Sequence, residues 1–205
     1  GLQSDARAAE ARRSEDRVQA EAETLEALAR VDGLADPDDA GSLRRFATIV
    51  ADAFAARRAS VWRLNGEGTA LACLESYDRE RGAHTAATTL RADHLGDAWP
   101  TLATGERCTI TGDGDPALRR LRELYLDGIG TTRLDAVPVR AGGRMLGALW
   151  LEDVEPAHLG PTSQGLEALM ARLLAPRLEA LAGGEVGASP SPPQAAGNVV
   201  ALGSL

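Results

Sequence analysis

The segment Met145–Leu151 (MLGALWL) is apolar at odd and even positions alike. A strand of that composition has to be covered on both faces, because successive side chains point to opposite sides of a sheet. It follows Leu134–Arg140 (LDAVPVR) across Ala141-Gly142-Gly143-Arg144, which reads as a hairpin turn. A second hairpin is formed by Ala59–Leu64 (ASVWRL) and Ala70–Tyr77 (ALACLESY), joined through Asn65-Gly66-Glu67-Gly68. His84–Leu90 (HTAATTL) reads as a more polar third strand after a turn at Arg79–Gly82, and Arg107–Thr111 (RCTIT) as a short one. The centre of the chain is therefore an antiparallel sheet that needs a layer on each side.

Helical spacing supplies those layers. Leu43, Phe46, Ala47, Val50, Ala53 and Phe54 share one face of a helix over 42–57, with Ser42 as its N-cap or the cap a few residues earlier. Ser163–Leu181 carries seven Leu or Met residues, and Pro176 inside it predicts a kink or the end of its regular part. Both helices are expected on one face. The connection 91–133 is too long for a structureless loop. Leu95, Trp99 and Leu102 suit a short helix closed by Thr104-Gly105. Asp115-Pro116 starts another, with a stripe of Leu118, Leu121, Leu124 and Tyr125, solvated Arg119, Arg120 and Arg122, and a stop at Gly128. This segment should roof the other face.

Residues 1–34 form a separate unit, a polar helix over 3–31 that neither Gly nor Pro interrupts between Ser4 and Asp32. A heptad places Ser4, Ala11, Val18 and Leu25 at d, with Ala8, Glu15, Ala22 and Ala29 at a. Two readings stand: a solvated helix that packs only near its end, or a coiled-coil helix of a dimer. The folded domain is expected over 35–182. From Gly183 to Leu205 the Gly, Ser, Pro and Ala content predicts a disordered tail.

Composition removes several function classes. All 22 basic residues are arginine, so no lysine is present for a P-loop, a Schiff base or a carrier site. A net charge of −8 argues against a nucleic-acid footprint. Two cysteines and three scattered histidines build no four-ligand zinc site. The acidic run from Asp113 fails as a calcium loop, since Leu118 and Leu124 stand where an EF-hand needs Gly and Glu. No apolar run is long enough to cross a membrane, and the two thiols fit a reducing cytoplasm.

Four stretches in order resemble the GAF domain family of small-molecule sensory modules, over roughly Leu43–Leu181. They are Ser60–Leu64 (SVWRL), Cys73–Asp78 (CLESYD) leading to His84-Thr85, Leu102–Gly105 (LATG), and Tyr125–Leu151 with its acid at Glu152. The resemblance implies an α/β (α+β) fold with a central antiparallel sheet and helices on both faces. It also implies a homodimer through the terminal helices, and a cytoplasmic bacterial signalling chain. The output partner would be a histidine kinase or a diguanylate or nucleotide cyclase, as in two-component and related systems. The N-terminal helix would relay the signal.

In such a fold the pocket lies between the sheet and the roof of residues 84–133. Its candidate lining here is His84, Thr85, His94, Asp97, Trp99, Cys108, Tyr125, Thr131, Thr132, Arg133 and Asp135, with Leu95 and Leu121 as further walls. The ligand would be a cyclic nucleotide or another small metabolite. The tetrapyrrole-binding members usually place a histidine just after the attachment cysteine. Here Leu74 follows Cys73 and Thr109 follows Cys108, so neither that chromophore nor haem is indicated. The free-methionine sulfoxide reductases of this fold use a cluster of cysteines, which two thiols in unlike contexts do not match. The expected function is thus a non-enzymatic regulatory domain. The alternative is an interaction module whose pocket is filled by its own side chains, with Trp62, Trp99 and Trp150 as packing anchors.

Overall fold

The computed structural model describes residues 2–112 and 115–185. The residues expected to form the tail from 186 onward lie outside these, as do Asp113 and Gly114. Helix α1 (Leu2–Ala29) and helix α2 (Ala40–Ala53) precede strands β1 (Arg58–Leu64), β2 (Ala70–Asp78), β3 (Ala83–Thr85) and β4 (Thr89–Arg91). Short helices α3 (Ala92–Leu95) and α4 (Ala98–Ala103) lead to β5 (Cys108–Thr111). A helical stretch follows, made of a 3-10 turn (Pro116–Leu118), α5 (Arg119–Leu121), a π turn (Arg122–Leu126) and α6 (Asp127–Ile129). Strands β6 (Arg133–Ala141) and β7 (Arg144–Glu152) and helix α7 (Pro161–Glu185) complete the order.

The seven strands form one antiparallel sheet in the order β3-β2-β1-β7-β6-β5, with β4 also on β2. Strand β7 lies between β1 and β6. Its Leu149 and Leu151 enter the core beneath α2 and α7, and its Ala148 and Trp150 enter the core beneath the roof. That is the two-sided cover its composition requires. The helix-side core joins Phe46, Val50 and Phe54 of α2 to Met170, Leu174 and Leu178 of α7. On the roof side, Leu95, Leu102, Leu121 and Tyr125 pack on Trp62, Leu71, Leu134 and Trp150.

Several elements depart from the expected ones. The N-cap of α2 is not Ser42 but Asp39, the earlier of the two expected placements, whose carboxylate accepts from the Ser42 amide at 3.0 Å. Ser42 sits inside the helix and its Oγ donates to the carbonyls of Gly33 (3.0 Å) and Asp39 (2.8 Å). The stretch His84–Leu90 is two strands rather than one, broken where Ala87 takes a φ of +75°. The helical stretch after Pro116 ends on Gly130, left-handed at φ +69°, not on Gly128. Helix α7 runs past Pro176 to Glu185, with the proline on its exposed side.

Helix α1 is about 42 Å long at 1.5 Å per residue. Leu28 is its one buried residue among those whose side chains are described, while Val18 and Leu25 are 62% and 42% exposed. Its attachment is local: Arg177 of α7, itself buried, donates to the carbonyls of Leu34 (3.3 Å) and Pro37 (3.1 Å) and to Ser42 Oγ (3.2 Å). One guanidinium thus ties the α1–α2 linker to the last helix. Arg177→Met is expected to lower stability by about 1 kcal/mol, because it removes hydrogen bonds to two partly buried carbonyls and the buried Ser42 hydroxyl. Hydrogen exchange should show the amides of 33–42 opening faster in that variant. Unchanged exchange there would contradict the tie.

Candidate ligand site

The roof-facing side of the sheet carries a buried acid. Strand β7 ends at Glu152, which pairs across the sheet with Arg58 of β1 and Leu134 of β6. The register puts Glu152 on the roof side with Leu134, and its carboxylate has no solvent exposure. Tyr125 Oη donates to its Oε1 at 2.8 Å and Thr131 Oγ1 to its Oε2 at 2.6 Å. Arg58 approaches to 3.7 Å and spends its other nitrogen on Asp78 at 2.8 Å. Arg57 donates to Thr131 Oγ1 (2.7 Å), to Asp153 (2.9 Å) and to the Ile129 carbonyl (3.0 Å). Asp153 also accepts from both the amide and the hydroxyl of Thr132 and from the Arg133 amide. The loop after α6 is therefore lashed to the end of β7.

Tyr125 joins this acid to a cluster of three aromatic rings. Trp62 and Trp150 lie 4.4 Å apart between centroids, and Tyr125 meets each edge-on at 5.5 Å. Trp62 Nε1 donates to Ser60 Oγ at 2.9 Å, which satisfies its only polar atom. The space is closed: Tyr125 and both tryptophans fill it.

Burial shapes the electrostatics. It pushes the Glu152 carboxyl above its ordinary value, against the hydrogen bonds from Thr131 and Tyr125 and the charge of Arg58. It raises the Tyr125 hydroxyl, with Glu152 adding to the effect. It drives the Cys73 thiol up to about 12, aided by Glu75. Burial also raises the Cys108 thiol. Both sulfurs are thereby held as thiols rather than nucleophiles. They also stand on β2 and β5, four strand spacings or about 19 Å apart. A disulfide between them cannot form without refolding.

The sign of the Glu152 shift fixes a pH dependence. A carboxyl with a raised folded value binds its proton more tightly in the folded state. The stability this adds is complete below its unfolded value near 4.5 and is lost as pH rises through the folded value. Denaturant titrations from about pH 4 to 8 should show the Glu152→Gln variant lacking that decline. Superimposable profiles would contradict the assignment.

The expected site residues separate into three groups. Tyr125 and Thr131 meet at Glu152, and Trp99 and Cys108 pack partly buried in the same roof-side core. His94, Asp97 and Thr85 are exposed; the first two line an outer cleft of about 530 Å³ with Arg119 and Arg120, outside the roof. Thr132 is exposed and caps Asp153. His84, Arg133 and Asp135 lie on the opposite, helix-covered face, a correction to the expected lining. His84 stacks on Tyr77 and bonds Glu75 at 2.6 Å. Arg133 pairs with Asp135, which shares Arg107 with Glu167 of α7. The strand period of two explains this: Asp135 falls in step with Val137 and Val139, which face the helices. Glu152, Arg58 and Asp78 were missed. For Glu152 the signal is an acid that directly follows the apolar run Met145–Leu151. Such a group has to be paired or neutral once buried.

Among the described residues no cluster of three or more His, Cys, Asp or Glu side chains could hold a metal ion. A cleft of about 720 Å³ lies on the helix side, between α1, α2 and the start of α7, remote from Glu152.

The chain matches the model of the GAF domain family over residues 41–179. No curated protein matches it. Among solved structures it is similar to the GAF domain of an Acinetobacter phosphoenolpyruvate-protein phosphotransferase. The identity is 13% and the TM-score 0.53, over 82% of this chain and 97% of that one. It is also similar to the free methionine-R-sulfoxide reductase of Neisseria meningitidis (19%, TM-score 0.54, 79% and 91%). A third is the bacteriophytochrome RpBphP3 of R. palustris (12%, TM-score 0.57), where the match covers 80% of this chain and 38% of that one. At these identities the likeness is one of fold.

Proposed function

The chain belongs to the GAF domain family, and on that premise we propose that it is a non-enzymatic regulatory module. A small ligand, a cyclic nucleotide or another metabolite, binds beneath residues 84–133. Its binding biases the packing of α1, α2 and α7, and so the output of an attached or partner signalling enzyme. A histidine kinase or a diguanylate or nucleotide cyclase is the expected kind of output. The observation that carries this reading is the buried acid with its two hydroxyl donors, placed between the sheet and its roof. A buried ionisable group with a displaced pKa is a candidate functional group.

Relay requires a ligand with different affinities for two helix arrangements; tight binding to both would shift nothing. Beside the apolar packing of α7 on the sheet, the Arg177 tie and the Arg107–Glu167 pair are polar contacts through which the linker and the sheet reach α7. A homodimer through α1 and α7 fits the exposed Val18, Leu25 and Leu173. Among the described residues no helix is long and apolar enough to cross a membrane, in keeping with a proposed cytoplasmic location.

Thermal denaturation against cyclic nucleotides and a broad metabolite panel tests the reading. A ligand-specific, saturable rise of the midpoint supports it. The closed aromatic cluster favours one competing reading: an interaction module whose pocket its own side chains fill. No rise with any compound, together with a concentration-dependent dimer, would replace the first reading by that one.

A further inference from the structure

We propose that α1 pairs with α1 of a second copy in antiparallel orientation, with Val18 of each helix packed on the partner's Ala22. The proposal rests on the reading of the chain as a homodimer and fixes which way its helices run.

The free face of the helix is the first argument. Where α1 meets its own domain it uses Glu21, Thr24, Ala27 and Leu28, which are buried or half-buried. The heptad seam from Ala8 to Ala29 lies on another face. It carries Val18 and Leu25 and is exposed at each of its positions. The strongest apolar residues of the seam are thus turned to where a second helix can cover them.

Charge sets the direction. In a parallel pair each g residue meets the e residue five places on in the partner. That puts Arg7 against the partner's Arg12 and Glu21 against the partner's Glu26, each twice over. Ser14 against the partner's Gln19 is the neutral contact, and Glu15 meets the partner's Glu15 inside the seam. Every charged contact of a parallel pair is therefore like-signed.

An antiparallel pair matches a with d, e with e and g with g. With Val18 on the partner's Ala22, Glu15 lies on the partner's Leu25 and Ala11 on the partner's Ala29. Arg12 then stands beside the partner's Glu26 at both ends, and Gln19 beside the partner's Gln19. Glu26 accepts from Arg30 of its own helix through Oε2 at 3.3 Å, and its Oε1 is left for the partner's Arg12. One like-signed contact remains, Glu21 with the partner's Glu21 at the two-fold axis. A slide of one heptad, with Val18 on the partner's Glu15, would set Asp5 against the partner's Glu26 instead. In the favoured register Ala29 and the partner's Ala29 are about 27 Å apart along the axis, so the two folded domains stand at opposite ends.

Sedimentation equilibrium of the full chain measures the dimer constant, and disulfide trapping reads the orientation. Gln19→Cys should cross-link to itself under mild oxidation, because that position meets its copy only when the helices oppose. Leu25→Cys should not, because it meets its copy only in a parallel pair. The unaltered chain, with Cys73 buried and Cys108 half-buried, is the control. Arg12→Glu should weaken the dimer about tenfold, and adding Glu26→Arg should restore it. In a parallel pair Arg12→Glu would instead attract the partner's Arg7 and tighten the dimer. All these positions are exposed, so each variant keeps the core intact. Cross-linking of Leu25→Cys, or a tighter Arg12→Glu dimer, would overturn the proposal and leave the homodimer standing. A dimer indifferent to both charge reversals would overturn it too and leave α7 as the contact. A monomer at every concentration would remove the homodimer reading as well.

Discussion

Gly147→Ala is expected to destabilise the protein by about 3 kcal/mol or more, at the upper end of overpacking effects. A Cβ at position 147 would fall on the backbone carbonyl oxygen of Trp62 in the neighbouring strand, and 2.9 Å from Leu178 Cδ1 of α7. Leu178 could turn aside, but the carbonyl belongs to the pairing of β1 with β7 and cannot. Either the two central strands separate or α7 lifts, and each loses packing on the helix-side core. Gly165→Ala is the internal control. A Cβ there meets nothing within 4 Å, and the residue lies in α7 on an exposed face. That substitution should be neutral or stabilise by up to about 1 kcal/mol. Urea titration of both variants decides the matter. A midpoint for Gly147→Ala close to that of the unaltered chain would show that the sheet yields more easily than described.

Arg107→Met should cost a comparable amount, about 3 kcal/mol, toward the lower end for breaking a buried ion pair because Arg107 keeps 28% of its side-chain exposure. Its guanidinium holds Glu167 through Nε at 2.7 Å and Nη2 at 3.2 Å, and reaches Asp135 at 3.2 Å. Glu167 is 2% exposed and Asp135 fully buried. Asp135 keeps Arg133 and the Thr109 hydroxyl, so the loss falls mainly on Glu167. The Arg107→Met/Glu167→Leu double variant should regain most of the stability, because no unpaired carboxylate is then left under α7: Asp135 keeps Arg133. A loss below about 1 kcal/mol in the single variant would mean that water already serves Glu167.

The layered architecture was legible because it rests on periodicity. Leu149 and Leu151 against Ala148 and Trp150 is a pattern of period two that admits one reading once both faces are apolar. What failed was local. The break at Ala87 is a backbone conformation that alanine rarely takes, so its identity gives no warning. The stripe Leu118–Leu121–Leu124–Tyr125 assumed an unbroken α-helix, and the π turn rotates Leu124 into solvent. The candidate site was legible only in part. Tyr125 and Thr131 were found because they flank the roof's end. Arg133 and Asp135 were assigned to it by proximity in sequence, although the first residues of β6 alternate between faces. Glu152 enters the sequence reading only as the acid closing the family pattern and not as a site residue, because an acid at a strand end usually reads as a solvated terminus. Here β1 and β6 flank it on either side, and that adjacency follows from strand order, which no local pattern encodes.

The stacked Trp62 and Trp150 give the molecule an optical signature of its own. Two indoles held 4.4 Å apart and tilted by 37° couple their electronic transitions. Near-ultraviolet circular dichroism should therefore carry a paired, opposite-signed band that vanishes when either ring is replaced. Trp99, outside that pair, contributes to emission without the coupling. Any event that parts the sheet from its roof becomes visible in the unlabelled protein.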